Sequence, residues 1–488
     1  MNGEWNMLST DTDAPRASML RAVPASLLDR LPFGLGRRLH ETFCQESLKS
    51  RALRGSFITT AAYVGSQGLS LLSNLILTRL LFPGAFGLMS LVNVFMQGLN
   101  MFSDIGIGPA IIQNKHGDEP EFLNTAWTLQ VIRGGVLFLG SCAMAFPLAA
   151  FYDEPLLAQV IPVSGCTALL AGFSPTKRFS ANRKLELGRV TGIQLIAQTT
   201  GLLIMVVLTY VLRSVWALVV GGVLTEALKI GLMHWWLPGI RNSFCWNPEI
   251  VRRLLRFGRW IFLSTVLSFV AMQGDRISLG KLLTLEALGI YSIAYLISSQ
   301  PRAILSRLGP LIIFPAISLR KHLPRHELRQ TIQRYRWPVL LLMAFGLSIL
   351  TAFGDLLILW LWDERYAPAA QMLPLLALGV WPRVLDQSSG AALMAIGKLQ
   401  YNSFGSIGRI VMIFLVMPLA FAQWGVIGAV AVIAASDIPN YLADLLGLSL
   451  NGLGQIWQDS LATMCFLAFL VIEGIVRVGF GLNIPVVF

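Results

Sequence analysis

Six arginines lie inside stretches that are otherwise apolar: Arg133, Arg276, Arg302, Arg307, Arg383 and Arg409. An unpaired charge at the centre of a hydrocarbon layer costs about 2.5–3.5 kcal/mol on insertion scales. Each therefore needs an acid, a wet space or a route to the surface. Some have an acid close by in sequence: Asp275 precedes Arg276 and Asp386 lies three after Arg383, just as Glu226 lies three before Lys229. Arg307, near the end of its stretch, can snorkel. Arg302, Arg409 and Arg133 have no acidic neighbour within four residues. Free guanidinium groups attract anions, and their planar fork takes two phosphate oxygens at once. The set predicts an anionic substrate that carries phosphate. The acids Asp104, Asp275 and Asp437 are candidates to bind a coupling cation or proton, and equally candidates for helix-packing contacts.

Polar amides accompany these charges. Asn93, Gln97, Asn100 and Asp104 are spaced four, three, four, which places them on one helix face. Tyr63, Gln67, Ser70 and Asn74 repeat that spacing. Such a stripe faces either other helices, bonding to them, or a water-filled cavity. Equivalent positions recur in the second half of the chain, which favours the cavity.

The elements that must hold these residues are read from composition. Of 488 residues, 55% are hydrophobic and 13% charged, against about 25% charged in soluble proteins. Thirteen stretches are long enough to cross a bilayer as helices: 57–80, 88–113, 123–150, 156–180, 189–212, 215–238, 257–282, 287–318, 337–361, 368–396, 402–421, 425–449 and 461–480. Short alternating segments of the barrel kind are absent from the sequence. The fold class predicted is an all-α polytopic membrane protein with 12–14 transmembrane helices. Lys and Arg concentrate in alternate loops, at 177–189, 241–259 and 320–336, while the opposite loops lean acidic. That bias predicts a cytoplasmic N-terminus. It also accounts for the net charge of +12 without nucleic acid. Residues 1–56 show no apolar core of a signal peptide, so the first span is expected to target the chain. The part from Leu27 to Arg54 is open between a surface helix and a disordered tail.

One turn is written twice. LTRLLFPGAFGLMS (Leu77–Ser90) and LGKLLTLEALGIYS (Leu279–Ser292) match at Leu77/Leu279, Leu80/Leu282, Leu81/Leu283, Ala85/Ala287, Gly87/Gly289 and Ser90/Ser292, with Arg79 against Lys281. Each copy joins the first two spans of a six-span set. Two six-helix lobes in a parallel repeat follow, with one extra C-terminal helix. The predicted organisation is a basic extension (1–55), a first lobe (56–240), a basic linker (241–256), a second lobe (257–449) and a tail with the extra span (450–488).

Enzymatic motifs are absent from the sequence: it has no GxxxxGK[ST] loop and no nucleophile elbow, and His322 and His326 lack the glutamate of a zinc-protease helix. The five cysteines are scattered, without metal-ligand spacing.

The runs LKSRALRGSFITTAAYVGSQGLSLLSNLILTRLLFPGAFGLMSL, FSDIGIGPAIIQ and NTAWTLQVIRG, with GDRISLGKLL and ALGIYSIAYLISSQP in the second half, resemble the polysaccharide-transport (Wzx-type) flippases. The branch is that of exopolysaccharide, colanic-acid and lipopolysaccharide exporters, within the multidrug/oligosaccharidyl-lipid/polysaccharide (MOP) superfamily. The resemblance implies a V of two six-helix bundles. It implies flipping of an undecaprenyl-diphosphate-linked oligosaccharide across a bacterial inner membrane, without catalysis or cofactor, driven by a proton or sodium gradient. A polysaccharide polymerase and export proteins would be partners, with the lipid bilayer. By cavity position it puts the substrate on Arg276 and Arg302, with Arg133, Arg383 and Arg409 and the amides Asn74 and Asn100, and the ion linkage on Asp104 and Asp275. A drug–cation antiporter and a peptidoglycan-precursor flippase are the alternatives.

Overall fold

The computed structural model describes residues 48–103, 106–114, 116–184, 186–308, 324–398 and 400–482; among them there is no β-strand. The first half comprises α1 (Leu48–Leu80), α2 (Pro83–Phe102), the short α3 (Ile107–Gln113), α4 (Pro120–Tyr152), α5 (Leu157–Gly172), α6 (Lys177–Arg183), α7 (Leu187–Leu212) and α8 (Val215–Trp236). The second comprises α9 (Pro248–Leu282), α10 (Leu285–Ser298), α11 (Gln300–Leu308), α12 (Arg325–Leu361), α13 (Ala367–Ala395), α14 (Gln400–Val411), α15 (Met417–Ala435), α16 (Ile438–Leu450) and α17 (Ile456–Gly479). The chain is an all-α polytopic membrane protein. Seven described helical runs are by themselves long and apolar enough to cross a membrane, eight if α5 and α6, bent by 60°, count as one. The other expected spans fall on helices that are broken or diluted by polar and charged residues, and 309–318 of the span expected at 287–318 lies outside the described residues.

The breaks have local causes. Gly106, at φ 68, separates α2 from α3, a backbone that costs glycine little. Pro301 lies in the first turn of α11, just past the break at Ser299, where its missing N–H does no harm. Gly425, at φ 63, makes the tight reversal between the spans expected at 402–421 and 425–449. Two helices start earlier than their apolar runs. Asn247 caps α9, accepting from the N–H of Glu249 and Ile250, and Pro248 follows it at the first helical position. α12 begins at Arg325, so Arg325, Arg329, Arg334 and Arg336 belong to its opening turns and not to a loop.

The two copies of the repeated turn meet. A Cβ on Gly87 would lie 1.9 Å from the carbonyl oxygen of Leu285, and one on Gly289 would lie 2.0 Å from that of Pro83. Leu285 and Pro83 are themselves offset by 202 residues, so each glycine admits the start of the other copy's helix. The basic pair behaves alike. Arg79 donates to the carbonyl of Leu361 at the end of α12 (3.4 Å), and Lys281 to that of Phe151 at the end of α4 (2.7 Å). Such reciprocity is what a two-fold relation between the halves requires here. Lys281 also pairs with Asp153 at 2.6 Å. Arg365 reaches the carbonyls of Thr78, Arg79 and Leu81, the orphan acceptors at the end of α1. Its hydrogen bond to Asp363 holds that exposed carboxyl below the usual carboxylate range.

Both halves share one apolar core at this turn end, including Leu81, Leu88, Leu157, Leu218, Leu279, Leu288, Ile358 and Leu373. At the opposite, basic end most buried clusters stay within one half, Leu328, Ile332, Ala392 and Leu448 in the second and Ala181, Ile193 and Met233 in the first, while Leu254 at the start of α9 packs with Ile107, Ile111 and Phe122 of the first half. The largest core shared by the halves is at the turn end.

Helix α17 is fastened along α12. Arg336, fully buried, donates to Asp459 (2.9 Å) and Gln455 (2.6 Å) of α17's first turns and to Ser388 and Ser389 of α13. Ser348 donates to Glu473 at 2.9 Å, and Arg477 pairs with Asp355. Partner numbers rise together along both helices, so α12 and α17 run parallel.

Candidate functional site

The charges expected within the spans gather mainly in the second half. Arg383 on α13 reaches Asp386 at 3.0 Å, one helical turn on, and Asp437 at 3.3 Å. Arg409 on α14 is 4% exposed and pairs with the same Asp437. It is thus not a free guanidinium: its acid stands at the start of α16, 28 residues on, where sequence proximity could not show it. Arg302 on α11 lies close enough to feel the charges of Arg383, Asp437 and Arg409. It makes no ion pair or hydrogen bond among the described residues.

Asp275 and Arg276 do not pair with each other. Neighbours on a helix point about 100° apart, and these two face different elements. Asp275, fully buried, accepts from the Tyr291 hydroxyl at 2.8 Å, and its Oδ1 has no donor among the described residues. Arg276 donates to Gln273 at 2.9 Å and lies over the Tyr295 ring, 4.5 Å from its centroid. Gln273 in turn donates to Gln97 of α2 at 2.6 Å, joining the halves. Arg276 lines a cavity of about 210 Å³ between α2 and α10 with Asn74, Ser90, Asn93, Tyr295 and Ser299. Tyr295 is the ring beneath Arg276 and also lies within electrostatic reach of Arg302.

The first half holds the remaining candidates apart from this cluster. Arg133 donates to the Ser103 hydroxyl (2.9 Å) and the Asn100 carbonyl (2.8 Å). The Asn100 side chain is turned back onto the Met96 carbonyl. Asn74 bonds the Ser70 carbonyl at 2.9 Å. Asp104 lies outside the described residues, as do Arg320 and Lys321 and the side chain of Arg307.

A buried carboxyl pair was not singled out from the sequence. Asp386 and Asp444 lie within hydrogen-bonding reach of each other and are 1% and 0% exposed. Asp386 Oδ1 and both oxygens of Asp444 lack a donor in good geometry among the described residues, with the Asn402 side chain close to Asp444. Gly390 of α13 leaves the room, since a Cβ there would come 3.0 Å from Asp444 Oδ2. The signal was present in the spacing of Asp437, Asn440 and Asp444, three and four apart on one helix face.

The second hydrophilic space lies in the first half, about 490 Å³ between α1, α7 and α8. Ser66 donates to Gln198 at 2.7 Å, and Gln198 donates to the Ser66 carbonyl (3.0 Å) and the Ser70 hydroxyl (3.1 Å). Glu226 and Lys229 form an ion pair on its α8 side.

Fold and site together define a polytopic helical membrane protein with a charged network buried in one half and polar cavities between helices. The same fold is found in the lipid II flippase MurJ in an inward closed conformation (TM-score 0.62, 12% identity, 86% of this chain and 99% of that one). It is found too in an inward-facing multidrug-resistance MATE transporter of the MOP superfamily (TM-score 0.60, 15% identity, 82% and 95%). Residues 76–371 match the family described as polysaccharide biosynthesis protein, and the chain belongs to that family. It is 24% identical to the teichuronic acid biosynthesis protein TuaB of Bacillus subtilis over 70% of each chain. It is 22% identical to the succinoglycan biosynthesis transport protein ExoT of Rhizobium meliloti, over 64% of this chain and 63% of that one.

Proposed function

We propose that this chain is a flippase that carries undecaprenyl-diphosphate-linked oligosaccharide units across the bacterial inner membrane by alternating access, with its N-terminus cytoplasmic and no bond made or broken. The observation that carries the reading is the placement of Arg276 and Arg302. Arg276 lies over Tyr295 in the cavity between α2 and α10, and Arg302, within electrostatic reach of the same tyrosine, has no acid of its own among the described residues. A diphosphate supplies the missing charge. The polyprenyl tail stays in lipid while the head group crosses between the halves. The name of ExoT as a transport protein and of MurJ as a lipid flippase supports the same reading. A drug–cation antiporter would present acids to its lumen, whereas Asp275, Asp386, Asp437 and Asp444 are all buried.

An ion gradient would act through acids that touch the arginines. Asp275, next to Arg276 in the chain, bonds Tyr291 and touches neither that arginine nor another among the described residues. The pair Asp386–Asp444 is the stronger candidate, because Asp386 holds Arg383. A proton taken up there weakens that hold and adds one positive charge to the cluster of Arg302, Arg383 and Arg409, which favours an anion beside it.

The test is polymer export in cells lacking their own copy. Arg302→Ala and Arg276→Ala each remove charged hydrogen bonds worth about 1.5–3 kcal/mol, roughly ten- to a hundredfold in affinity. Surface polysaccharide should fall severely while the protein stays in the membrane. Unchanged polymer from both variants sinks the proposal.

A further inference from the structure

We infer that the polar groove between α1, α7 and α8 is a glycan subsite that takes the neutral sugar residues of the head group; this rests on the flippase reading above. The 490 Å³ cavity and a neighbouring space of about 320 Å³ share Ser66, Gln194 and Gln198, so they form one continuous groove. It runs along α1 from Ala62 to Asn74, roughly 18 Å at the helical rise per residue. That is long enough for more than one pyranose ring.

Its chemistry is that of a polyol site and not of an anion site. Amides and hydroxyls from Ser66, Ser70, Gln194, Gln198 and Thr225 both donate and accept, as sugar hydroxyls do. The one charged pair, Glu226 and Lys229, cancels within itself. These groups lie midway along their helices, where contact with hydrocarbon is costly, so the groove is wet. Gln198 is already fixed by Ser66 and Ser70. Gln194 lines both parts of the groove, is exposed there, and makes no hydrogen bond among the described residues. Gly201 lets α7 approach α8, since a Cβ there would come 2.3 Å from Thr225 Oγ1.

The position fits the head group. Asn74 lines both this groove and the cavity under Arg276. A diphosphate at the guanidinium groups therefore leaves its first sugar at Asn74 and the rest of the chain along α1.

Binding to the purified full chain in nanodiscs distinguishes the two levels of the proposal. The probes are undecaprenyl diphosphate and lipid-linked oligosaccharide extracted from the producing cells. Gln194→Leu should bind undecaprenyl diphosphate like the parent and the glycosylated lipid roughly five- to tenfold more weakly, the loss of about one net hydrogen bond. Gln194→Asn should recover part of that loss, which a simple packing role would not give. Equal affinity of Gln194→Leu and parent for the glycosylated lipid overturns the subsite, as does an equal loss for both lipids. Binding of neither lipid by the parent overturns the flippase reading and the subsite with it.

Discussion

Gly87→Ala and Gly289→Ala perturb the place where the halves are joined. The added methyl meets backbone in each case, 1.9 Å from the Leu285 carbonyl oxygen or 2.0 Å from that of Pro83. No rotamer can relieve such a clash. Helices α2 and α10 must part by more than about 1 Å for either methyl to reach ordinary contact. Overpacking of this kind costs about 1–3 kcal/mol. The reciprocal geometry adds a sharper expectation: once one methyl has parted the helices, the second meets space already opened. The double variant should therefore cost about as much as either single one, not their sum, giving a coupling energy above about 1 kcal/mol. Two measurements check this. Thermal unfolding in detergent gives the three stabilities. Labelling of Ser90→Cys with a membrane-impermeant maleimide reports whether the turn end has opened. Additive losses would show that the two glycines act at independent contacts, and unchanged stability and labelling in both single variants would refute the close approach itself.

Three further outcomes follow from the same contacts. Arg336→Ala or Asp459→Asn leaves a buried charge unpaired and should destabilise the chain by about 3–5 kcal/mol, read as a large fall in melting temperature; a loss below about 1 kcal/mol would mean that α17 is not held through this pair. Lys281→Asp should loosen the turn end by at most about 1 kcal/mol, because the pair with Asp153 is solvent-exposed, and Asp153→Lys in the same chain should restore maleimide protection; failure of the swap to restore it rules out a charge-based latch. In proteoliposomes, Asp444→Asn should remove the response of flipping to a proton gradient while the parent keeps it; a parental response in both Asp444→Asn and Asp386→Asn excludes the carboxyl pair as the coupling site.

What the sequence revealed was whatever depends on neighbours along the chain. The repeated turn was legible because its matching residues lie within one short stretch of each half, although what Gly87 and Gly289 answer to is the other copy's helix. The Arg383–Asp386 pair was legible for the same reason, being one helical turn apart. Pairs formed between helices were hidden. Arg409 found Asp437 across 28 residues and Arg336 found Asp459 across 123, and no spacing rule reaches that far. Arg336 was accordingly read as loop charge, although it is among the most buried side chains of the chain. The adjacency of Asp275 and Arg276 misled in the other direction, because adjacent residues on a helix diverge. Helix breaks at Gly106 and Gly425 needed φ, which residue type only suggests.

The cluster in the second half has a property that no single residue in it shows. Three arginines, Arg302, Arg383 and Arg409, meet three acids, Asp386, Asp437 and Asp444. With every group ionised the set is neutral, and an anion gains nothing by approaching it. Placing one proton between Asp386 and Asp444 lets one carboxyl donate to the other, which engages two of the three orphaned oxygens, and it leaves the cluster with one net positive charge. The excess is felt at Arg302, the arginine with no acid of its own among the described residues. On the proposed mechanism, proton and diphosphate then favour each other's binding by the same factor, as linkage requires. A release step needs only that one side of the membrane strip the proton from a pair buried between α13 and α16. Coupling in this form calls for no contact between the proton and the substrate, which is why the acids responsible can be fully buried while the arginines that meet the lipid are not.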